Sequence, residues 1–174
     1  MGTTSLGLAR ELTLDEAFLL QALAAEVDAG RLAARAGYYF SPGHRPQLSA
    51  EQEAFFDGIA PPDPEPALIP VAFEDLRAAL RRARIAGLAQ AFDTLLATGV
   101  LVKVGTDLYR GTQMAEIRAR LEAAIRSAGP ITLARFRDAI GTTRKYAVPL
   151  MEWFDATGVT VRDGDLRALR DQRD

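Results

Sequence analysis

Cysteine is absent from this chain, which excludes disulfides and thiolate metal sites and fits a reducing compartment. No run of about 18 apolar residues occurs and nothing resembles a signal peptide, so the chain reads as soluble, cytoplasmic and without a membrane partner. Histidine occurs once, as His44 in a Pro/Gly loop beside Arg45, where a plain surface role is expected. The Walker-type Gly-x4-Gly-Lys-Ser/Thr pattern is missing. Carboxylates are scattered over helix faces, Asp63 and Glu65 sit among prolines, and no pair recurs at ligand spacing. No catalytic constellation, metal site or cofactor site is expected in this segment, which is read as non-enzymatic.

An excess of positive charge is also missing: the formal net charge is -2. A protein that coats nucleic acid indiscriminately needs a larger basic field. The average conceals an asymmetry, because residues 1–112 hold 10 Lys+Arg against 14 Asp+Glu (net -4), whereas residues 113–174 hold 11 against 9 (net +2). Any nucleic-acid contact should therefore be local and carried by the C-terminal part.

What is present is a repeated pattern. Each of three segments runs apolar helix, Gly, strand, Gly, strand, with the glycines at Gly30 and Gly37, Gly99 and Gly105, Gly158 and Gly164. Eleven and seven residues before the first glycine of each pair stand Leu19 and Leu23, Leu88 and Phe92, Ala147 and Met151. All are apolar, as successive turns of one buried helix face require.

In order, residues 6–12 read as a short helix. Thr13 is the expected cap of a longer one to Ala29, with Glu16 completing a capping box. Arg31–Arg35 and Tyr38–Phe40 form a hairpin. Residues 1–46 are thus a winged helix lacking its first helix, a truncated start.

Residues 49–60 form a helix opened by Ser49 and Gln52, and Pro61–Pro66 make a stiff extended connection. Then follow a strand at 68–71, a helix over 73–82, a helix over 85–98, and strands at 100–104 and 107–110, giving a complete winged helix over 47–112. A helix over 113–127, a short strand at 131–132 and residues 133–170 build a third, over 113–174. The fold class is α+β, mainly helical, with tandem winged-helix domains.

The third segment carries the chemistry. Residues 136–158 read as a short helix, a tight turn at Gly141 and a second helix capped by Thr142 or Thr143. Arg144 and Lys145 sit in that helix's first turn, where the macrodipole makes cations unfavourable, so something outside the helix is expected to want the charge. Tyr146, Leu150, Trp153 and Phe154 follow at i, i+4, i+7, i+8 and form a buried face; Tyr146 and Trp153 are either core residues or base-stacking platforms. Pro149 either bends this helix or separates residues 143–147 as their own segment. Val159–Arg162, the turn Asp163–Asp165 and Leu166–Leu169 make the wing.

In a winged helix this turn and the wing lie near one another, so Arg144, Lys145, Arg162 and Arg167 are expected on one face with Arg137 beside them. Arginine binds phosphate bidentately or stacks on a base, and Lys145 suits a phosphate as a point charge. The alternative is ordinary solvated charges paired with Asp138, Asp163 and Asp165.

Phe136-Arg137-Asp138, Thr143-Arg144-Lys145-Tyr146-Ala147, Pro149-Leu150, Gly158-Val159-Thr160, Gly164-Asp165 and Arg167 resemble the last winged helix of the bacterial selenocysteine-specific elongation factor family, SelB. The resemblance is close over residues 130–170 and architectural before that. The family's usual serine before Arg-Lys-Tyr is Thr143, keeping a hydroxyl cap, and its two adjacent wing arginines are reduced to Arg162.

The resemblance implies an RNA-binding arm that grips an mRNA hairpin of the SECIS type and directs recoding of UGA, with Thr142, Thr143 and Gly164 joining Arg137, Arg144, Lys145, Arg162 and Arg167 as RNA-binding residues. It implies GTP and magnesium only for a GTPase part outside this chain, contacts to the ribosome and selenocysteinyl-tRNA through that part, and a monomer. A winged-helix DNA-binding transcription regulator, or a protein-interaction module, is the alternative.

Overall fold

The structure, a computed structural model, describes residues 3–35, 38–42, 47–62 and 68–170. His44, Arg45, Asp63, Glu65 and the turn at Ala36-Gly37 lie outside the described residues. Along the chain run β1 (Thr3–Thr4), α1 (Ser5–Leu12), α2 (Glu16–Asp28), β2 (Ala33–Arg35) and β3 (Tyr38–Phe40). Next come α3 (Ala50–Ile59), β4 (Val71–Ala72), α4 (Phe73–Arg82), α5 (Leu88–Thr98), β5 (Leu101–Val104) and β6 (Asp107–Arg110). Last are α6 (Gly111–Ala128), β7 (Ile131–Thr132), α7 (Leu133–Ile140), α8 (Arg144–Ala156), β8 (Thr160–Asp163) and β9 (Leu166–Leu169).

The strands make three small sheets of one topology, β1-β3-β2, β4-β6-β5 and β7-β9-β8. In each, a two-residue strand leads into two helices and pairs antiparallel with the last strand of the hairpin that follows them. The three repeated pairs, Leu19 and Leu23, Leu88 and Phe92, Ala147 and Met151, are all buried. The periodicity of the sequence is therefore the periodicity of the fold, which is mainly helical α+β.

Compactness divides the chain differently from the repeat. One unit comprises Met1–Gly58 with Ala78–Leu101, the other Ile59–Arg77 with Val102–Asp174, so the division falls inside the middle repeat. In the first unit, Ala9, Leu19 and Leu23 form a small core and Phe56 stacks on Phe92 at 6.3 Å between ring centroids. In the second, one core runs from Leu68, Val104 and Tyr109 through Ile117, Leu121 and Ile125 of α6 to Phe136, Leu150, Phe154 and Leu169.

Local expectations change at three places. Asp15, not Thr13, caps α2, its Oδ1 accepting from the Phe18 amide at 3.1 Å. Thr13 instead ends α1 in the left-handed conformation (φ 56°), and Glu16 accepts from Ser5 Oγ at 2.9 Å. Helix α5 starts at Leu88 rather than Ile85, because Gly87 adopts φ 67° and breaks the helical path. The strand expected at 68–71 is displaced to 71–72, since Leu68 itself has φ 74°.

Candidate nucleic-acid interface

The turn between α7 and α8 is built by Gly141. Its φ of 66° suits the C-cap, where a side chain would be strained. Its amide donates to Asp138 O at 3.2 Å and the Thr142 amide to Arg137 O at 3.1 Å. The chain then enters α8 at Thr143, whose carbonyl accepts from the Tyr146 and Ala147 amides at 3.1 and 3.0 Å.

The Thr143 side chain makes no capping bond, which corrects the expected hydroxyl cap: the backbone carbonyl alone opens the helix. The start of α8 thus keeps orphan amides beside two exposed cations, Arg144 and Lys145. No acid stands in that turn to offset the macrodipole. Arg144 forms no hydrogen bond or ion pair among the described residues, and Lys145 Nζ lies 5.0 Å from the Tyr146 ring centroid. Such a helix end favours an anion.

The rest of α8 is anchored. Ala147, Leu150, Met151 and Phe154 are buried, Tyr146 and Trp153 half-buried, and Phe136 and Trp153 each meet Phe154 edge-on. Tyr146 and Trp153 both pack on the core. The helix is continuous from Arg144 to Ala156 with Pro149 inside it, so residues 143–147 are no separate segment. Pro149 also faces the β5–β6 turn: a Cβ built on Gly105 would stand 3.5 Å from its Cβ.

The wing divides its two arginines. Arg162 and Arg167 are directly opposed in the β8–β9 ladder. Arg162 is exposed, its Nε donating to Gly164 O at 2.9 Å, and Gly164, at φ 58°, has open space where a side chain would stand. Arg167 is only 9% exposed. Its Nε donates to Asp155 Oδ2 at 2.9 Å, and Asp155 Oδ1 accepts from Thr160 Oγ1 at 2.7 Å.

Arg167 thus departs from the expected open face, because its guanidinium ties the wing to α8. Arg137 is half-buried and its Nε donates to Asp138 Oδ1 at 2.8 Å. The exposed predicted residues are Thr143, Arg144, Lys145, Arg162 and Gly164, with Thr142 half-buried. Asp155 and Thr160 were missed as organisers of the wing. The signal for Asp155 was its place in the last turn of α8, where an acid opposes the macrodipole unless a cation meets it. Among the described residues no cluster of three or more His, Cys, Asp or Glu side chains could hold a metal, and no helix is long and apolar enough to cross a membrane.

A short strand, two helices joined by a tight turn, and a hairpin returning to that strand define a winged helix, and the middle and last repeats add a helix, α3 and α6, before that strand. Residues 123–169 match the family described as "Elongation factor SelB, winged helix", so the last repeat is similar to the winged helix of that family.

The selenocysteine-specific elongation factor of Desulfomicrobium baculatum is 39% identical over 83 residues, 47% of this chain and 13% of that protein. The Escherichia coli (strain K12) counterpart is 27% identical over 158 residues, 90% of this chain and 25% of that protein. The chain therefore spans a quarter or less of these relatives. Among solved structures, the mRNA-binding domain of E. coli SelB in complex with SECIS RNA superposes with a TM-score of 0.54 at 25% identity, covering 71% of this chain and all of that one. A bacterial selenocysteine-specific elongation factor superposes with a TM-score of 0.51 at 14% identity over 92% of this chain and 25% of its own, a likeness of fold.

Proposed function

We propose that this chain is the RNA-binding arm of a selenocysteine-specific elongation factor, gripping an mRNA hairpin so that a UGA codon is recoded. The contact is made by Thr142–Lys145 at the start of α8 and by Arg162 and Gly164 at the wing tip. GTP, magnesium, selenocysteinyl-tRNA and the ribosome belong to parts of the factor outside this chain, which acts as a monomer in the cytoplasm and catalyses nothing itself. The single observation that carries the reading is the uncapped, cation-bearing first turn of α8, exposed on a helix that is anchored by its buried Ala147, Leu150, Met151 and Phe154.

An A-form stem has a deep, narrow major groove that excludes a helix, so specific reading falls on splayed loop bases and the phosphates beside them. That geometry needs a short cationic edge rather than a basic helix. Beyond Lys145, α8 carries only Glu152 and Asp155 as charged residues, which disfavours the long major-groove contact of a DNA regulator.

The test is binding of a labelled RNA hairpin and of its duplex-DNA counterpart at two salt concentrations. Three or four phosphate contacts give a slope of log K against log salt of roughly -2 to -4. Arg144→Ala and Arg162→Ala each weaken hairpin binding severely, whereas Arg81→Ala does not. Equal losses for all three, or none, would sink the assignment.

A further inference from the structure

The three repeats share one wing but join it to its helix with different chemistry. In the last repeat Asp155, in the final turn of α8, accepts from Thr160 of β8 and from Arg167 of β9 at 2.7 and 2.9 Å, so one carboxylate holds both strands. Pairing with the leading strand of each sheet aligns Arg167 with Leu108 in the middle repeat and with Tyr39 in the first. Counted from the glycine after each helix, Gly158, Gly99 and Gly30, Asp155 and Thr160 fall level with Leu96 and Leu101, and with Val27 and Leu32. Leu101 and Leu108 are buried, and Leu32 and Tyr39 pack on the small core of the first repeat. The same joint is thus made twice without a charge.

Stability does not ask for the exchange. A buried ion pair gives up much of its Coulomb energy to desolvation, and well-packed apolar side chains often serve a fold as well or better. Two local rules are also broken in the last repeat. Asp155 opposes the macrodipole at the C-terminal end of α8, and Arg167 stands directly across the ladder from a second arginine, Arg162. What the polar joint supplies is direction: an apolar contact lets a hairpin slide or tilt on its helix, whereas one carboxylate accepting from both strands fixes the angle.

We infer that Asp155 is a positioning residue for the RNA contact: by holding Thr160 and Arg167 it sets the wing against α8 and so places Arg162, the exposed member of the opposed pair, at the hairpin's phosphates. Directly opposed residues share one face of a ladder, so Arg162 lies on the face of Arg167, two residues nearer the tip than Thr160. The tip has no buried anchor of its own, since Arg162 to Leu166 are all exposed. Engaging Arg167 also leaves Arg162 as the one exposed cation of residues 160–169. The inference rests on the hairpin function proposed above and gives a role in it to a residue that does not touch the RNA.

The experiment measures affinity of the whole chain for the labelled RNA hairpin, with its salt slope and a matched thermal melt. Asp155→Asn keeps the side chain's shape and leaves Arg167 its charge; it is expected to lose about tenfold in hairpin affinity and about one unit of slope. In an Arg162→Ala background the same change is expected to cost less than about twofold, because the contact it positions is already gone. The triple variant Asp155→Leu, Thr160→Leu, Arg167→Leu gives the last wing the residues of the middle one. It is expected to melt at or above the parent's temperature and still to lose about tenfold in hairpin affinity.

Hairpin affinity unchanged in Asp155→Asn would overturn the inference, and tighter binding would do so by showing that a released Arg167 takes a phosphate itself. Equal losses from Asp155→Asn with and without Arg162 would reduce the joint to a structural one. Full hairpin affinity in the triple leucine variant would show that an apolar joint positions the wing equally well; should that variant not fold, Asp155→Asn in the two backgrounds decides. Arg162→Ala in the parent reads the hairpin contact separately: no loss there defeats the proposed function, whereas a loss there with none in Asp155→Asn defeats only the positioning role.

Discussion

Arg167 and Asp155 form an ion pair at 2.9 Å whose side chains are only 11% and 22% exposed, joining the second strand of the wing to the last turn of α8. Thr160, fully buried, donates to the other Asp155 oxygen. One carboxylate thus satisfies two groups that the fold has taken out of water. It also keeps Arg167 from the open edge on which its ladder partner Arg162 stands.

Asp155→Ala should therefore destabilise the chain by about 2 kcal/mol, since it strands a mostly buried guanidinium and a buried hydroxyl together. Removing the exposed Glu116, which pairs with Arg120 at 2.7 Å, should cost under about 0.5 kcal/mol. Urea denaturation of both variants decides. Similar losses would show that the latch is worth no more than a surface pair, and an Asp155/Arg167 double-mutant cycle would isolate their coupling.

Tyr109 offers a prediction of opposite sign. Its hydroxyl is buried without a hydrogen-bond partner among the described residues, so Tyr109→Phe should leave stability unchanged or raise it by up to about 1 kcal/mol. Burial, then the neighbouring Asp107 and Tyr146, pushes the phenol above its ordinary pKa of 10.0. The folded state therefore holds this proton where the unfolded chain releases it. Stability from this source is intact below pH 10 and falls as the pH rises beyond it. Denaturation midpoints from neutral to alkaline pH should drop less steeply for the Phe variant, and parallel slopes would count against the buried phenol.

On α6, Glu122 sits between Arg118 and Arg126, at 2.7 and 2.8 Å. The hydrogen bond from Arg118, stronger than the opposing effect of burial, helps hold its carboxyl below the usual 4.5. A depressed folded-state value adds stability above the unfolded value and loses it as the pH falls through the folded one. Glu122→Gln should cost up to about 1 kcal/mol at neutral pH, and the gap to the parent should close below about pH 4. A gap that persists in acid would mean that the side chain acts by packing.

The repeat was legible because Leu19 and Leu23, Leu88 and Phe92, Ala147 and Met151 each fall on a core-facing turn at fixed distance from a glycine. Capping was less legible: Thr13 with Glu16 has the spacing of a capping box, yet Asp15 can cap the same helix, and only the left-handed turn at Thr13 separates them. In the wing the pattern misleads outright. Alternation anchored on Leu166 would expose Arg167, but the strand alternates in the phase of Leu169, so Leu166 is 41% exposed and Arg167 is 9%. The inversion follows from register: Arg167 lies on the face shared with Thr160 and Leu169, where Asp155 meets it. A partner 12 residues away in the chain is invisible to a period of two.

The start of α8 yields the last prediction, in which stability and binding part company. Arg144 and Lys145 oppose the macrodipole, and the Thr143 side chain does nothing to offset them. Arg144→Glu should therefore stabilise the fold by about 0.5 kcal/mol, because a carboxylate at this end interacts favourably with the open amides. The same change puts a negative charge where an RNA phosphate is proposed to dock, so hairpin affinity should fall by at least about tenfold, more than for Arg144→Ala. Thermal melts and hairpin titrations on one preparation test both halves. If Arg144→Glu lowers stability, Arg144 has a structural role; if it stabilises while binding persists, the cations at this turn are not the contact. A more stable chain that no longer holds RNA is the outcome expected of a residue kept for its ligand at the expense of its helix.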